Sequence, residues 1–147
     1  MGKAPETMRR MEEEIIPEAE RILGYGSARR ILCGYSMAGL FAASAPFLSY
    51  CFDAVVSASG VLWYPGFPGF FRSHPFLRTP SSVYLSVGDS ESPERNGFFE
   101  NVLGDIRDEC IARGARSVLE INSGDHLADP CARLAKGIVW TLREGIR

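Results

Sequence analysis

Hydrophobic residues of this chain fall into short, nearly continuous runs, which alternate with longer segments of helical periodicity. The apolar runs predict four strands, at about 30–34, 52–59, 82–88 and 117–121. Because their apolar residues are consecutive rather than alternating, the strands are expected to lie in a sheet covered on both faces. The periodic segments predict helices at about 5–23, 38–49, 95–113 and 130–143. Pro17 should kink or divide the first helix, and the proline- and glycine-rich segment 60–71 predicts no regular structure.

Alternation of strands and helices indicates an α/β fold with a mainly parallel sheet of about four strands. The 147 residues, of which 46% are hydrophobic, are expected to form a single domain, 1–147. Right-handed crossovers would place the connections between consecutive strands on one face of the sheet. Only the last helix is clearly free to cover the other face, so a three-layer arrangement is expected.

A sharp turn with a serine at its centre follows the first strand. Ile31-Leu32-Cys33 leads into Gly34-Tyr35-Ser36-Met37-Ala38-Gly39, and small and apolar residues continue to Ala45. The small residues around Ser36 relieve the crowding of a tight strand-to-helix turn, which lifts the hydroxyl above the end of the sheet. Ser36 is therefore a candidate nucleophile. The alternative is an ordinary helix N-cap serine.

Candidate partners for the serine follow two other strands. His126 comes just after the fourth strand, and Asp89 and Glu91 come just after the third. Because the carboxyl ends of parallel strands meet at one edge, all these side chains are expected at the same edge as Ser36. A carboxylate there would orient the imidazole, which would act as a base. Glu91 is favoured by its Gly-x-x-Glu spacing and Asp89 is second, while a capping or surface role for His126 stays open.

Aromatic residues are concentrated in the segment after the second strand. Trp63, Tyr64 and Phe67 are accompanied there by Phe70 and Phe71. They form either a loop held by aromatic packing or an apolar wall for a substrate. Candidate substrate contacts are Tyr35, Trp63, Tyr64 and Phe67.

Charge and composition exclude several classes of function. A formal net charge of −2 without a basic stripe argues against nucleic acid, and no apolar run is long enough for a membrane span. The four cysteines are scattered, which argues against a metal site and against disulfides. No cofactor is expected. The N-terminus lacks the apolar core of a signal peptide, so a cytoplasmic location is expected.

Several stretches resemble the α/β-hydrolase family, specifically esterases related to enterochelin (ferric siderophore) esterases and esterase D. They are Glu-Glu-Ile-Ile-Pro, Gly-Tyr-Ser-Met-Ala-Gly-Leu-Phe, Leu-Ser-Val-Gly-Asp-Ser-Glu and Gly-Asp-His. The resemblance implies hydrolysis of a small-molecule carboxylic ester through an acyl-enzyme. Ser36 would attack, His126 would relay the proton, and the backbone N–H of Met37 would donate to the oxyanion.

The resemblance covers only the C-terminal half of a family member. The family has strands and an oxyanion loop ahead of the serine turn, where this chain has one helix, so a truncated α/β-hydrolase-like sandwich is expected. The alternative function is a degenerate hydrolase domain that serves as an assembly or binding module. Because the first strand has a bare apolar edge, we also expect a homo-oligomer that shields it.

Overall fold

Four parallel strands form the centre of the fold. The computed structural model describes residues 2–24, 26, 29–92 and 97–143. Within them, the sheet has the strand order β1-β2-β3-β4, with β1 at Ile31–Tyr35, β2 at Ala54–Ala58, β3 at Ser82–Gly88 and β4 at Arg116–Asn122. All three neighbouring pairs are parallel, and the register aligns Leu32 with Val55 and Val55 with Val83. The predicted α/β fold is confirmed.

Helices flank this sheet. They are α1 (Ala4–Arg10), a π-helical turn (Met11–Ile15), α2 (Ile16–Leu23), α3 (Met37–Leu48), α4 (Phe67–Ser73), α5 (Phe98–Ala112) and α6 (Pro130–Arg143). The predicted start of the third helix, at 95, falls outside the described residues. None of the helices in the described part of the chain has the length and apolar character needed to cross a membrane.

One face of the sheet carries the main apolar core. Its strand residues are buried aliphatic side chains, namely Leu32, Val55, Val83, Leu85 and Val87. Helix α3 packs on β1 and β2, and α5 packs on β3 and β4. Helix α1 packs on α3 and contributes the buried Met8 to the same core. We call this the apolar face.

The other face is covered by α6, which contacts β1, β2 and β3. The helix approaches so closely that a Cβ on Gly137 would lie 2.4 Å from Val56 Cγ1 and 2.7 Å from Tyr84 Cδ1. Val56 and Val55 are adjacent in β2 and so point to opposite faces. The last helix therefore covers the face that the other connections leave free, as expected, and the fold has three layers. We call this second side the α6 face.

Pro17 lies where the first helical segment changes type, although the segment stays helical from Ala4 to Leu23. The π-helical turn ends at Ile15, and the proline stands in the first turn of α2. Proline has no N–H for an intrahelical bond and its ring crowds the preceding turn, and a widened turn accommodates both effects. Gly24 then ends α2 with a left-handed φ of 76°.

The segment 60–71 differs from the prediction, because residues 67–73 form the helix α4. Pro68 lies in the first turn of α4, where backbone N–H groups make no intrahelical hydrogen bond, so the lack of an N–H costs nothing there. Phe71 is buried, and its ring packs edge-on against Phe47 with 5.1 Å between the ring centroids. The segment forms a helix in spite of its proline and glycine content, because the proline lies where a helix tolerates it and the aromatic side chain is buried.

Candidate active site

Ser36 lies at the sharp turn between β1 and α3. Its backbone has φ 57° and ψ −122°, a conformation that non-glycine residues rarely adopt. Ser36 N–H donates to the carbonyl of Ala58 at 3.1 Å, which anchors the turn to the end of β2. Ser36 occupies the N-cap position of α3, yet its side chain makes no capping hydrogen bond. The hydroxyl is therefore available for another partner.

Two glycines are required for this turn by close approach of the backbone. A Cβ on Gly34 would lie 2.0 Å from the carbonyl oxygen of Ala38, and one on Gly39 would lie 2.7 Å from Gly60 Cα. Both distances are too short for any side chain. The small residues singled out in the sequence thus allow the strand to enter the helix directly beneath Ser36.

The imidazole of His126 connects the serine to a carboxylate. His126 Nε2 lies 3.0 Å from Ser36 Oγ, and His126 Nδ1 lies 2.8 Å from Glu91 Oε2. A neutral imidazole with its proton on Nδ1 satisfies both contacts, since it donates to Glu91 and accepts from the serine hydroxyl. The structure thus brings together a serine, a histidine and an acid from the ends of three strands.

Glu91 is held firmly in place. Its side chain is 1% exposed, and its second oxygen, Oε1, accepts from Gly88 N–H at 2.7 Å and from Arg133 Nη1 at 2.8 Å. A buried carboxylate is costly unless it is paired and hydrogen-bonded, and here both oxygens have donors.

Asp89, the second candidate acid, does not contact His126 in the structure. Its Oδ1 accepts from Ser90 Oγ at 2.8 Å and from Gly124 N–H at 2.9 Å. These hydrogen bonds, the one from Ser90 first, hold the pKa of Asp89 below its ordinary value. Asp89 therefore ties the loop that carries His126 to the end of β3. Asp125 turns the same loop by accepting from Leu127 N–H at 2.9 Å.

Arg133 in α6 was not singled out from the sequence. Its side chain is 2% exposed and donates to Glu91 Oε1, to Ser59 Oγ at 2.8 Å, and to the carbonyls of Ser123 at 3.2 Å and Asp125 at 2.9 Å. A spacing of four residues relates the buried positions Arg133, Gly137 and Thr141. That spacing places the three residues on one side of the helix, but the sequence pattern does not show that this side is the buried one.

The aromatic candidates have different surroundings. Tyr35 donates its hydroxyl to the carbonyl of His126 at 2.6 Å, so it supports the histidine loop. Trp63 stacks on Phe99, with 3.5 Å between the ring centroids. Tyr64 and Phe67 line a cavity of about 460 Å³, together with Met37, the residue after the serine. No bound substrate tests these four residues, and their substrate contacts stay predictions.

His74, the other histidine, lies at the end of α4. Its Nδ1 is 2.9 Å from Ser73 Oγ and 3.1 Å from the carbonyl of Phe70, and its ring stacks on Phe70. Within the described residues, no group of three or more His, Cys, Asp or Glu side chains is arranged to hold a metal ion.

Two solved structures share this arrangement of strands and helices. The crystal structure of enterochelin esterase from Shigella flexneri aligns with a TM-score of 0.75 and 18% identity over 93% of this chain. The chain has the fold of the aligned part of that esterase. The enterobactin esterase from Shigella flexneri, in the presence of 2,3-dihydroxy-N-benzoyl-glycine, aligns with a TM-score of 0.73 and 20% identity over 90% of this chain. The resemblance stated from the sequence is thereby confirmed for the fold.

The likeness covers only part of these esterases. This chain spans 37% of the length of each. No protein-family model matches the sequence, and no curated protein sequence matches it. At identities of 20% and 18% the comparison establishes the fold, and the chemistry has to be argued from the site.

Proposed function

We propose that this chain is a serine hydrolase that cleaves carboxylic esters through an acyl-enzyme. The observation that carries the proposal is the continuous hydrogen-bond chain from Ser36 Oγ through His126 to Glu91, with contacts of 3.0 and 2.8 Å. The fold shared with two esterases is compatible with this chemistry, because it places the ends of three strands at one edge of the sheet. The strained backbone of Ser36 supports it as well, because such strain is concentrated at functional sites.

Each residue has a distinct role in the proposed reaction. His126 Nε2 accepts the hydroxyl proton while Ser36 Oγ attacks the ester carbonyl, and the imidazolium then donates that proton to the leaving alcohol. Glu91 keeps the remaining proton on Nδ1 and stabilises the imidazolium. In the second half of the reaction, water takes the place of the serine hydroxyl and the acid is released.

The oxyanion is assigned to the first turn of α3. Met37 is the first residue of that helix, and its backbone N–H belongs to the orphan donors of a helix N-terminus. Such a donor stabilises the negative charge that develops on the carbonyl oxygen. Met37, the residue after the nucleophile, also lines the cavity that contains Tyr64 and Phe67, and the apolar lining of that cavity favours an ester with an apolar acyl or aromatic group.

Hydrolysis of a small aryl ester tests the proposal. Ser36→Ala and His126→Ala should each lower turnover by a factor of about a thousand or more, and the double variant should be little worse, because the two residues act as a unit. His74→Ala is the matched control, since it removes an imidazole outside the site. Near-native turnover by His126→Ala would contradict the assigned roles.

A second candidate function is an assembly or binding module with little or no turnover. It is favoured by the low identity to the two esterases, 20% and 18%, at which a shared fold does not carry a shared activity. The same assay separates the two functions. A module would give identical background hydrolysis with the native chain and with Ser36→Ala.

A further inference from the structure

We propose that Arg133 is the positioning residue of this site, and that it acts through Glu91 and the loop that carries His126. This inference rests on the proposed function. It goes beyond that function because part of the reactivity of Ser36 would depend on the buried guanidinium of Arg133. That group contacts neither the serine nor the imidazole.

The guanidinium of Arg133 joins four separate parts of the chain, one of which is β1, where Nη1 lies 3.5 Å from the Tyr35 hydroxyl. Nη1 donates at 2.8 Å both to Glu91 Oε1, after β3, and to Ser59 Oγ, after β2. Nη2 donates to the carbonyls of Ser123 and Asp125, in the loop after β4. The rigid fork of a guanidinium can hold several acceptors in fixed relative positions, which a lysine ammonium on a flexible stem cannot do equally well.

This clamp fixes both ends of the Glu91–His126 contact. Glu91 is held by its Oε1, while the histidine loop is held by the two carbonyls on either side of residue 124. The space is closely filled, because a Cβ on Gly88 would lie 2.8 Å from Arg133 Nη2 and 2.2 Å from the carbonyl oxygen of Gly124. Without the fork, the acid and the loop lose their common support.

The charge of Arg133 matters as well as its shape. Glu91 is 1% exposed and Arg133 is 2% exposed, so the ion pair is shielded from water. Removal of the cation would leave a buried carboxylate without its charged partner, which is costly, so Glu91 would no longer be held in this position. The other titratable groups around the pair are His126 itself, Tyr35, Asp125 and the exposed Asp89. None of these supplies a permanent positive charge.

The test measures the rate at which a fluorophosphonate probe labels Ser36 in Arg133→Met and in Arg133→Lys. Arg133→Met should label on the order of 100-fold more slowly per folded molecule, as expected when a reacting group is displaced by about 1 Å. Lys136→Met is the matched control, because Lys136 lies on the same helix and pairs with Glu120 and Asn122 outside the site.

A double variant shows whether Arg133 acts through Glu91. In a Glu91→Gln background, Arg133→Met should change the labelling rate little, because its route to the site is already lost. This pair also removes both buried charges together, so it keeps the test decisive if Arg133→Met alone does not fold. An equal loss in both backgrounds, or a native labelling rate in Arg133→Met or Arg133→Lys, would overturn the proposal.

A second readout separates this inference from the proposed function. The Nδ1 proton of His126, hydrogen-bonded to Glu91, should give a downfield proton NMR signal in the native chain that is absent in Arg133→Met. If the native chain shows that signal but Ser36 never reacts, the proposed function fails and the positioning role stands. If the signal persists in Arg133→Met, the positioning role fails regardless of activity.

Discussion

The apolar face and the α6 face of the sheet differ in the residues that hold them together. On the apolar face, aliphatic side chains of the strands are buried beneath α3 and α5, as Leu85 and Val55 show. On the α6 face, polar contacts accompany the packing: Tyr84 donates to Glu120 at 2.6 Å, and Lys136 binds the same carboxylate. The Glu91–Arg133 pair continues this polar side at the carboxyl ends of the strands.

This difference suggests that one set of residues stabilises the fold while another set positions the reacting groups. Aliphatic burial supplies most of the free energy of folding and requires only approximate placement of each group. A buried ion pair contributes little net stability but strongly penalises any other arrangement, so it fixes the positions of its members. Substitutions on the apolar face should therefore act on the free energy of unfolding, and substitutions in the polar network at the strand ends should act on the reactivity of Ser36.

The largest effect is expected from Glu91→Gln. The amide keeps the shape of the side chain but cannot stabilise the imidazolium, and it can present an N–H to Nδ1 that favours the wrong tautomer. The rate of ester hydrolysis per folded molecule should fall on the order of a thousandfold or more. Steady-state kinetics with a small aryl ester, alongside circular dichroism, measures the effect.

Two matched variants control this prediction. Glu120→Gln neutralises another carboxylate of the α6 face, one that contacts Tyr84 and Lys136 rather than His126, and it should hydrolyse the ester at the native rate. Asp89→Asn should cost less activity than Glu91→Gln, because Asp89 holds the loop without contacting the imidazole. A larger loss in Asp89→Asn would reverse the assignment of the acid, and small, equal losses would indicate a serine–histidine pair without an acid.

On the apolar face, Leu85→Ala should lower the free energy of unfolding by about 2–5 kcal/mol, because it leaves a cavity at a fully buried position. Hydrolysis per folded molecule should stay native. Ser86→Ala is the matched control on the α6 face of the same strand, and it should cost less because only one oxygen atom is removed. Urea unfolding gives the comparison, and a loss of reactivity in folded Leu85→Ala would show that the two faces are not separable.

Gly137→Ala tests the packing between α6 and the sheet. An alanine in a helix interior ordinarily stabilises the helix by about 1 kcal/mol relative to glycine. Here its Cβ would lie 2.4 Å from Val56 Cγ1, so the helix has to move away, at a cost of about 1–3 kcal/mol. The steric cost is the larger, and unfolding experiments should show net destabilisation. Gly104→Ala in α5 is the control, since its Cβ would meet nothing within 4 Å.

The smallest effect concerns Asp89 and acidic pH. Hydrogen bonds from Ser90 and Gly124 hold the pKa of Asp89 below its ordinary value of 3.8. The stabilisation is therefore complete above that ordinary value and is lost as the pH falls through the lowered pKa. Thermal unfolding of the native chain and of Asp89→Asn should show a small difference at neutral pH that vanishes in acid. A difference that grows in acid would contradict this sign.

Most of the fold could be predicted from the sequence because strands and helices follow from the pattern of apolar residues within each short segment. Apolar runs such as Ala54-Val55-Val56 indicate buried strands wherever they occur, and β3 and α6 have the predicted bounds. Helix α4 was missed because a proline in a first turn has little cost, which composition alone does not show. The three-dimensional position of Ser36, His126 and Glu91 followed from the rule that parallel strands end at one edge.

Arg133 could not be predicted in the same way. An arginine on an amphipathic helix is ordinarily solvated, and its burial here depends on acceptors contributed by residues 8 to 98 positions away in the sequence. The choice between Asp89 and Glu91 also depended on distance, because both follow Gly88 closely and only the folded chain shows which carboxylate reaches the imidazole. Contacts of this kind are set by tertiary structure rather than by pattern.

Covalent labelling tests the central claim most directly. The native chain is treated with a fluorophosphonate probe and digested, and the modified peptide is identified by mass spectrometry. The account predicts one probe per chain, on Ser36, with labelling abolished in Ser36→Ala and strongly slowed in His126→Ala. A native chain that stays unlabelled, or that is labelled equally in Ser36→Ala, would contradict it.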